Sequence, residues 1–201
     1  MRFAVLGSGS QGNGTLIASD STYVLVDCGF SLRETERRLV RLGVSPHQLS
    51  AILVTHEHAD HVHGVGLLSR RYNLPVYMSR GTQRGMRKPL EPAGFVADGE
   101  TLQIGTLTIS VTRVAHDAQE PTQYVFSDGQ RRFGLLTDLG SYCAGVLHSY
   151  RDLDALMIEA NHCRDLLARG HYPYFLKQRV GGQEGHLNNH QAANLVAELG
   201  W

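Results

Sequence analysis

The stretch Thr55-His56-Glu57-His58-Ala59-Asp60-His61 decides how this chain is read. It sets three imidazoles and the Asp60 carboxylate within six residues, directly after the apolar, strand-like run Ala51-Ile52-Leu53-Val54. Neutral imidazole with carboxylate is a ligand set for a borderline metal such as zinc, and it also suits manganese or iron. In a loop or first helical turn, His56 and His58 can face one divalent metal ion while Asp60 and His61 face a second beside it. That is the outline of a two-metal hydrolase, in which the metals make a nucleophilic hydroxide and hold the oxygens of the scissile group. The bland alternative is a solvated histidine-rich loop. Further His and Asp residues downstream weigh against it.

Two metal sites need more ligands, and strand ends hold them best because the backbone there is rigid. His116 directly follows the alternating run that ends at Ala115, and Asp138 directly follows Phe133-Gly134-Leu135-Leu136-Thr137. His116 would complete a three-histidine set with His56 and His58. Asp138 is suited to bridge both metals, leaving Asp60 and His61 on the second. Taken singly, each of His116 and Asp138 has a plainer reading as a strand-end residue making a turn contact. Asp27 ends the run Tyr23 to Val26, where it can accept the free N–H of a ligand histidine and so fix its tautomer; the alternative is a simple turn. His162 follows the strand-like run that leads to Glu159 and could line the site. His63 reads as a surface or supporting residue, and His47, His148, His171 and His190 have no supporting context.

A length of 201 residues fits one domain, and 42% hydrophobic residues suffice for a core. Formal net charge is zero, so no global basic field advertises nucleic-acid binding. Locally, the segment from His61 to Leu90 has no Asp or Glu but carries Arg70, Arg71, Arg80, Arg84, Arg87 and Lys88. It is either a surface that tracks phosphates or an ordinary solvated face. Cys28, Cys143 and Cys163 form no CxxC pair and point to a reducing compartment. The apolar run at the N-terminus is too short for a signal h-region, and nothing approaches the ~18 apolar residues of a membrane span. The expectation is a cytoplasmic protein with no membrane partner.

Gly7-Ser8-Gly9-Ser10-Gln11-Gly12-Asn13-Gly14 is a glycine loop that allows positive φ and close backbone approach. It lacks a Gly-Lys-Ser/Thr ending and strands follow it, so a nucleotide fingerprint is disfavoured. Helices are predicted from Phe30 or Ser31 to Leu42, from Val62 to Tyr72 and from Ser79 to Arg87. A hairpin from Leu102 to Ala115 turns at Gly105, and the strands Gln123 to Phe126 and Phe133 to Leu136 flank a turn at 127–130. Ala155 to Ile158 is a further strand. Short helices start at Cys163 and Tyr174. A last helix runs to Leu199, N-capped by Asn188 or Asn189. Strands first, then helix–strand alternation, predict two sheets packed face to face with helices outside, in a single domain over residues 1–201.

The motif Thr55-His56-x-His58-x-Asp60-His61, the later His116 and the pair Thr137-Asp138 resemble the metallo-β-lactamase superfamily. Gly7-Ser8-Gly9-Ser10-x-Gly12-Asn13, Asp27-Cys28-Gly29, Glu159-Ala160-Asn161-His162 and Gly185-His186-Leu187-Asn188-Asn189 resemble its YycJ (WalJ) branch, so the likeness covers nearly the whole chain. The resemblance implies an αββα sandwich, an α/β fold of two mixed sheets, with two metals (zinc or manganese, iron as the alternative) at the edge between the sheets. It implies a metal-dependent nuclease, a 5′-to-3′ exodeoxyribonuclease acting on DNA. RNA or a small cyclic phosphodiester is the alternative substrate, as in ribonuclease Z and the cyclic phosphodiesterase of phosphonate breakdown. On that reading Asp60 and Asp138 orient the hydroxide. His186 contacts the phosphate or protonates the leaving oxygen, with a metal ligand or a surface loop residue as the alternatives. Ser8 and Asn188 fall among the substrate-binding or supporting residues. Rival readings are a thioester hydrolase of the glyoxalase II type, which shares the histidine motif, and a metal-binding module without turnover. One departure stands out. The superfamily draws a seventh ligand, a histidine, from a strand near the C-terminus, and the sequence stops at Trp201 before one. The expectation is a domain lacking that strand and that ligand, with the second metal held more weakly than the first.

Overall fold

Strand alternation builds the first layer. A computed structural model describes residues 1–201. Its first sheet opens with β1 (Arg2–Gly7), β2 (Gly14–Ser19) and β3 (Thr22–Val26), paired antiparallel. It continues through β4 (Ala51–Leu53), β5 (Val76–Met78) and β6 (Gly94–Phe95), all parallel, in the order β1-β2-β3-β4-β5-β6. Parallel neighbours need crossovers. Here they are α1 (Leu32–Arg41), the pair α2 (Ala59–Val62) and α3 (Val65–Tyr72), and α4 (Arg80–Gly85).

The second sheet holds β7 (Thr101–Ile104), β8 (Leu107–Arg113), β9 (Thr122–Ser127), β10 (Arg132–Leu136) and β11 (Ala155–Ile158), in the order β11-β10-β9-β8-β7. Only β10 and β11 are parallel, and α5 (Ala144–Ser149) connects them. The chain then runs through α6 (Arg164–Arg169), α7 (Tyr174–Val180) and α8 (Asn189–Glu198).

Successive side chains of a strand face opposite ways, and the core divides on that rule. Ile17, Val24, Val26 and Leu53 join Ile109, Val111, Tyr124, Phe126 and Leu135 between the two sheets. Leu16, Leu25 and Ile52, one residue out of phase, pack instead under Leu39 of α1 and Val65 and Leu68 of α3. On the far side, Val125 and Leu136 meet Val146 of α5 and Leu195 of α8. The result is the expected αββα sandwich of two mixed sheets. No helix is long and apolar enough to cross a membrane.

The caps follow the sequence. Ser31 caps α1, Ser79 caps α4, and Asn188 caps α8 in a capping box with Gln191. Two helix bounds differ from expectation. The helix foreseen from Val62 to Tyr72 is two helices, α2 starting earlier at Ala59 and α3 at Val65, separated at Gly64. The Gly64 N–H donates to Cys28 O at 2.7 Å, and a Cβ at that position would lie 2.2 Å from Phe30 O. The turn after β3 therefore holds the backbone down at this glycine and interrupts the helix. The helix foreseen to Arg87 likewise ends at Gly85.

Candidate metal centre

Five strand ends converge on one edge of the sandwich. Asp27 follows β3, Thr55 and His56 follow β4, His116 follows β8, Asp138 follows β10, and Glu159 follows β11. Asp27 and Asp138 both have left-handed backbone, with φ of 60° and 52°. Such a conformation is uncommon for residues other than glycine and concentrates at functional sites. The motif loop is held down by the turn at Asp27-Cys28-Gly29. Cys28 N donates to His61 O at 2.8 Å, and a Cβ on Gly29 would sit 1.7 Å from Asp60 O. Only glycine permits that approach.

His56 Nε2 lies 3.0 Å from His58 Nδ1, and His116 Nε2 lies 3.4 Å from the same atom. The far nitrogen of each ring is engaged elsewhere. His58 Nε2 is 3.1 Å from Asp117 O and His116 Nδ1 is 3.0 Å from Gly185 O, so both rings carry their proton there and donate it to a carbonyl. The Thr55 hydroxyl donates to Asp27 Oδ2 at 2.8 Å, which leaves its oxygen to accept from His56 Nδ1 at 3.0 Å. Three tautomers are thereby set by their outer partners, and three bare lone pairs converge with no proton between them. A divalent cation would resolve that arrangement, and the cluster is of a kind suited to a metal ion. Burial, reinforced by the neighbouring rings of His61, His116 and His58, holds His56 well below the usual histidine range. Burial also lowers His116.

His61 differs. Its Nδ1 donates to Asp27 Oδ2 at 2.8 Å, and its Nε2 faces Asp138 Oδ2 at 3.3 Å and Asp60 Oδ2 at 3.5 Å. Burial pulls its pKa down, but Asp27, Asp138 and Asp60 outweigh that and raise it to about 9. A cation and the second proton therefore compete for Nε2. Donor atoms close enough to share an ion fall into three groups: His56, His58 and His116; His56, His61 and Asp138; His116, Asp138 and His186. Asp138, His56 and His116 each belong to two of them, and Asp138 is the one carboxylate among the three. Asp60 sits at the rim, where Asn13 Nδ2 donates to its Oδ2 at 2.9 Å.

His186 enters from the loop before α8. Its Nδ1 donates to Glu159 Oε2 at 2.9 Å and lies 3.5 Å from Asp138 Oδ1. Burial opposes protonation of His186, yet Glu159 and Asp138 raise its pKa. His186 thus stands among possible metal donors, grouped with His116 and Asp138. A cleft of about 210 Å³ opens over these groups, lined by His58, Asp60, Asp138 and His186 together with Leu176, Arg179 and Val180 of α7.

The remaining sequence candidates stand apart from this cluster. Ser8 lines a small crevice with Asn13, Asp27 and Thr137. Asn188 spends its side chain on the cap of α8, accepting from His190 N and Gln191 N. His162 faces a different cavity, and its buried Nδ1 has no partner. Four residues were given no role by the sequence. Thr55 orients His56, Asn13 holds Asp60, Asp117 binds His58 and pairs with Arg179, and Glu159 holds His186. Asn13 and Glu159 lie inside recognisable motifs, a signal that was there to be used. Asp117 had only its place next to His116.

The family profile described as "Beta-lactamase superfamily domain" matches residues 22–201. The chain is 34% identical over 204 residues to "Exodeoxyribonuclease YycJ" of Bacillus anthracis, an alignment covering 99% of this chain and 77% of the relative. It is 35% identical over 208 residues to "Exodeoxyribonuclease WalJ" of Streptococcus pneumoniae serotype 2 (strain D39 / NCTC 7466), with the same coverage of 99% and 77%. Among solved structures, the metallo-β-lactamase fold protein YhfI from Bacillus subtilis superposes with a TM-score of 0.74 at 20% identity, covering 98% of this chain and 82% of that one.

Proposed function

The chain belongs to the metallo-β-lactamase superfamily, and from that premise we propose that it is a metal-dependent phosphodiesterase that digests DNA from a 5′ end. The observation that carries this reading is the convergence of bare His56, His58 and His116 nitrogens beside the Asp138–His61 pair. The names of the two relatives, both exodeoxyribonucleases, supply the substrate class.

We assign His56, His58 and His116 to one divalent ion. Asp60 and His61 would hold a second, with Asp138 placed to serve both. Zinc or manganese fits the donors. Bound ions would supply Lewis acidity at the phosphoryl oxygens and a more acidic water at neutral pH. The protein's own contribution is positioning. Asp27, Thr55, Asp117 and Gly185 hold four imidazoles by their outer nitrogens, so the inner nitrogens need no reorganisation. Asn13 holds the Asp60 carboxylate where, with Asp138, it can accept a proton from the attacking water. His186, its Nδ1–H tied to Glu159, keeps Nε2 free to give a proton to the leaving oxygen. The side chains of Arg70, Arg71, Arg80, Arg84, Arg87 and Lys88 are all exposed, and this cationic surface would guide the strand.

The test is digestion of an end-labelled DNA duplex by metal-stripped protein after manganese or zinc is added back. RNA and a cyclic phosphodiester run in parallel, and Asp60→Ala/His61→Ala is the control. Mononucleotides should leave the 5′ end, and the control should release none. A chain that holds two metal ions and cleaves no phosphodiester would overturn the reading.

A further inference from the structure

Helix α7 is a partition between two cavities. On one side Leu176, Arg179 and Val180 line the metal cleft. On the other, Tyr174 and Lys177 line a separate open cavity of about 350 Å³, together with Arg164 and Leu167 of α6 and with His162. The helical repeat explains the split, because residues three and four apart share a face.

The second cavity has the chemistry of a nucleotide site. Its wall includes Tyr174, which is 77% exposed. Phe175 beside it is 72% exposed. Large aromatics left in water next to a cleft are platforms on which bases stack. Two cations, Arg164 and Lys177, line the same cavity. From Arg164 to Gly181 the chain carries Arg164, Arg169, Lys177 and Arg179 against a single acid, Asp165. Lys177 Nζ donates one hydrogen bond to Ala168 O at 2.7 Å and keeps its other donors for a phosphate. His162, Gln178 and Asn188 add polar groups to the same lining.

We propose that the cavity between α6 and α7 is a nucleotide subsite that takes a base and phosphate of the substrate strand next to the phosphate held in the metal cleft, with Tyr174 stacking on the base and Arg164 and Lys177 on the phosphate. The subsite rests on the phosphodiesterase reading of the cleft. It adds a reason for a polymeric substrate: a strand crossing α7 is gripped on both sides, while a small diester touches one side only.

The test has two measurements. Binding of a fluorescein-labelled single-stranded hexadeoxynucleotide to the metal-stripped protein is read by anisotropy. Hydrolysis of the same strand and of bis(p-nitrophenyl) phosphate is followed with metal-loaded protein. Tyr174→Ala and Lys177→Gln should each weaken strand binding about tenfold. Each should also lower kcat/KM for the strand, relative to the small diester, by a similar factor through KM. Tyr174→Phe should restore binding, since the ring is retained. Equal losses on both substrates, or no loss on the strand, overturn the proposal. So does thymidine monophosphate competing as tightly as the hexanucleotide, which would make the cavity a site for free nucleotide. If loaded wild-type protein cleaves neither substrate while Tyr174-dependent strand binding persists, the phosphodiesterase reading falls and the subsite stands.

Discussion

Asp27 Oδ2 lies 2.8 Å from His61 Nδ1, and both side chains are sealed from solvent. The same carboxylate accepts the Thr55 N–H and the Thr55 hydroxyl, each at 2.8 Å. One residue at the end of β3 thus ties the end of β4 and orients two imidazoles, His61 directly and His56 through Thr55.

Replacing that acceptor should therefore loosen metal before anything else. In Asp27→Asn the charge is lost and one oxygen becomes a donor facing donors. Affinity for the ion at His61 should fall about 10- to 100-fold, with a smaller change at the three-histidine site, as read by zinc titration against a competing chelator. Asp27→Ala leaves three buried donors without an acceptor and should cost about 3 kcal/mol of stability. Unchanged affinity at both sites would remove Asp27 from the supporting role.

Metal stoichiometry should separate the two ligand sets. His61→Ala should keep one ion on His56, His58 and His116, while His116→Ala should weaken that ion instead. Atomic absorption after gel filtration checks both. Either change should lower phosphodiester hydrolysis by more than about 100-fold.

Glu159 should act on rate through His186. Its carboxylate helps raise the His186 pKa, so Glu159→Gln should lower it. If His186 is the proton donor, its protonated form is then lost at lower pH, and the descending limb of the pH–rate profile moves to the acid side. A fall in kcat of about 10- to 100-fold should accompany that shift. A profile that stays in place would mean that Glu159 only supports the backbone at Leu139 and Leu187, whose N–H groups it also accepts.

Cys28 should set an alkaline limit on stability. Burial pushes its thiol up to about 11, against an opposing hydrogen bond from Thr35. Below the unfolded thiol pKa of about 8.5 both states hold the proton and stability is unaffected. Between there and the folded pKa the unfolded chain releases its proton while the folded one retains it. Stability then falls as pH rises, by on the order of 2–3 kcal/mol near pH 11. Denaturation midpoints of wild type and Cys28→Ala between pH 8 and 11 measure this, and the variant should lack that part of the slope. Exposed Cys143 should react with a thiol reagent in the native protein while Cys28 does not.

Periodicity and spacing made much of this protein legible. Alternation at Leu107, Ile109 and Val111 marked the face of β8 that packs between the sheets. The caps at Ser31 and Asn188 and the cluster His56 to His61 are likewise local patterns, readable because backbone geometry repeats over a few residues. The pairing of Glu159 with His186, the hold of Asn13 on Asp60 and the break at Gly64 are not of that kind. Each depends on the register with which one strand end meets another across the sandwich. That register comes from how two sheets and their helices pack, a property of the assembled core that no short window of sequence contains. The same packing alone decided that α7 would stand between two cavities and leave Tyr174 in water.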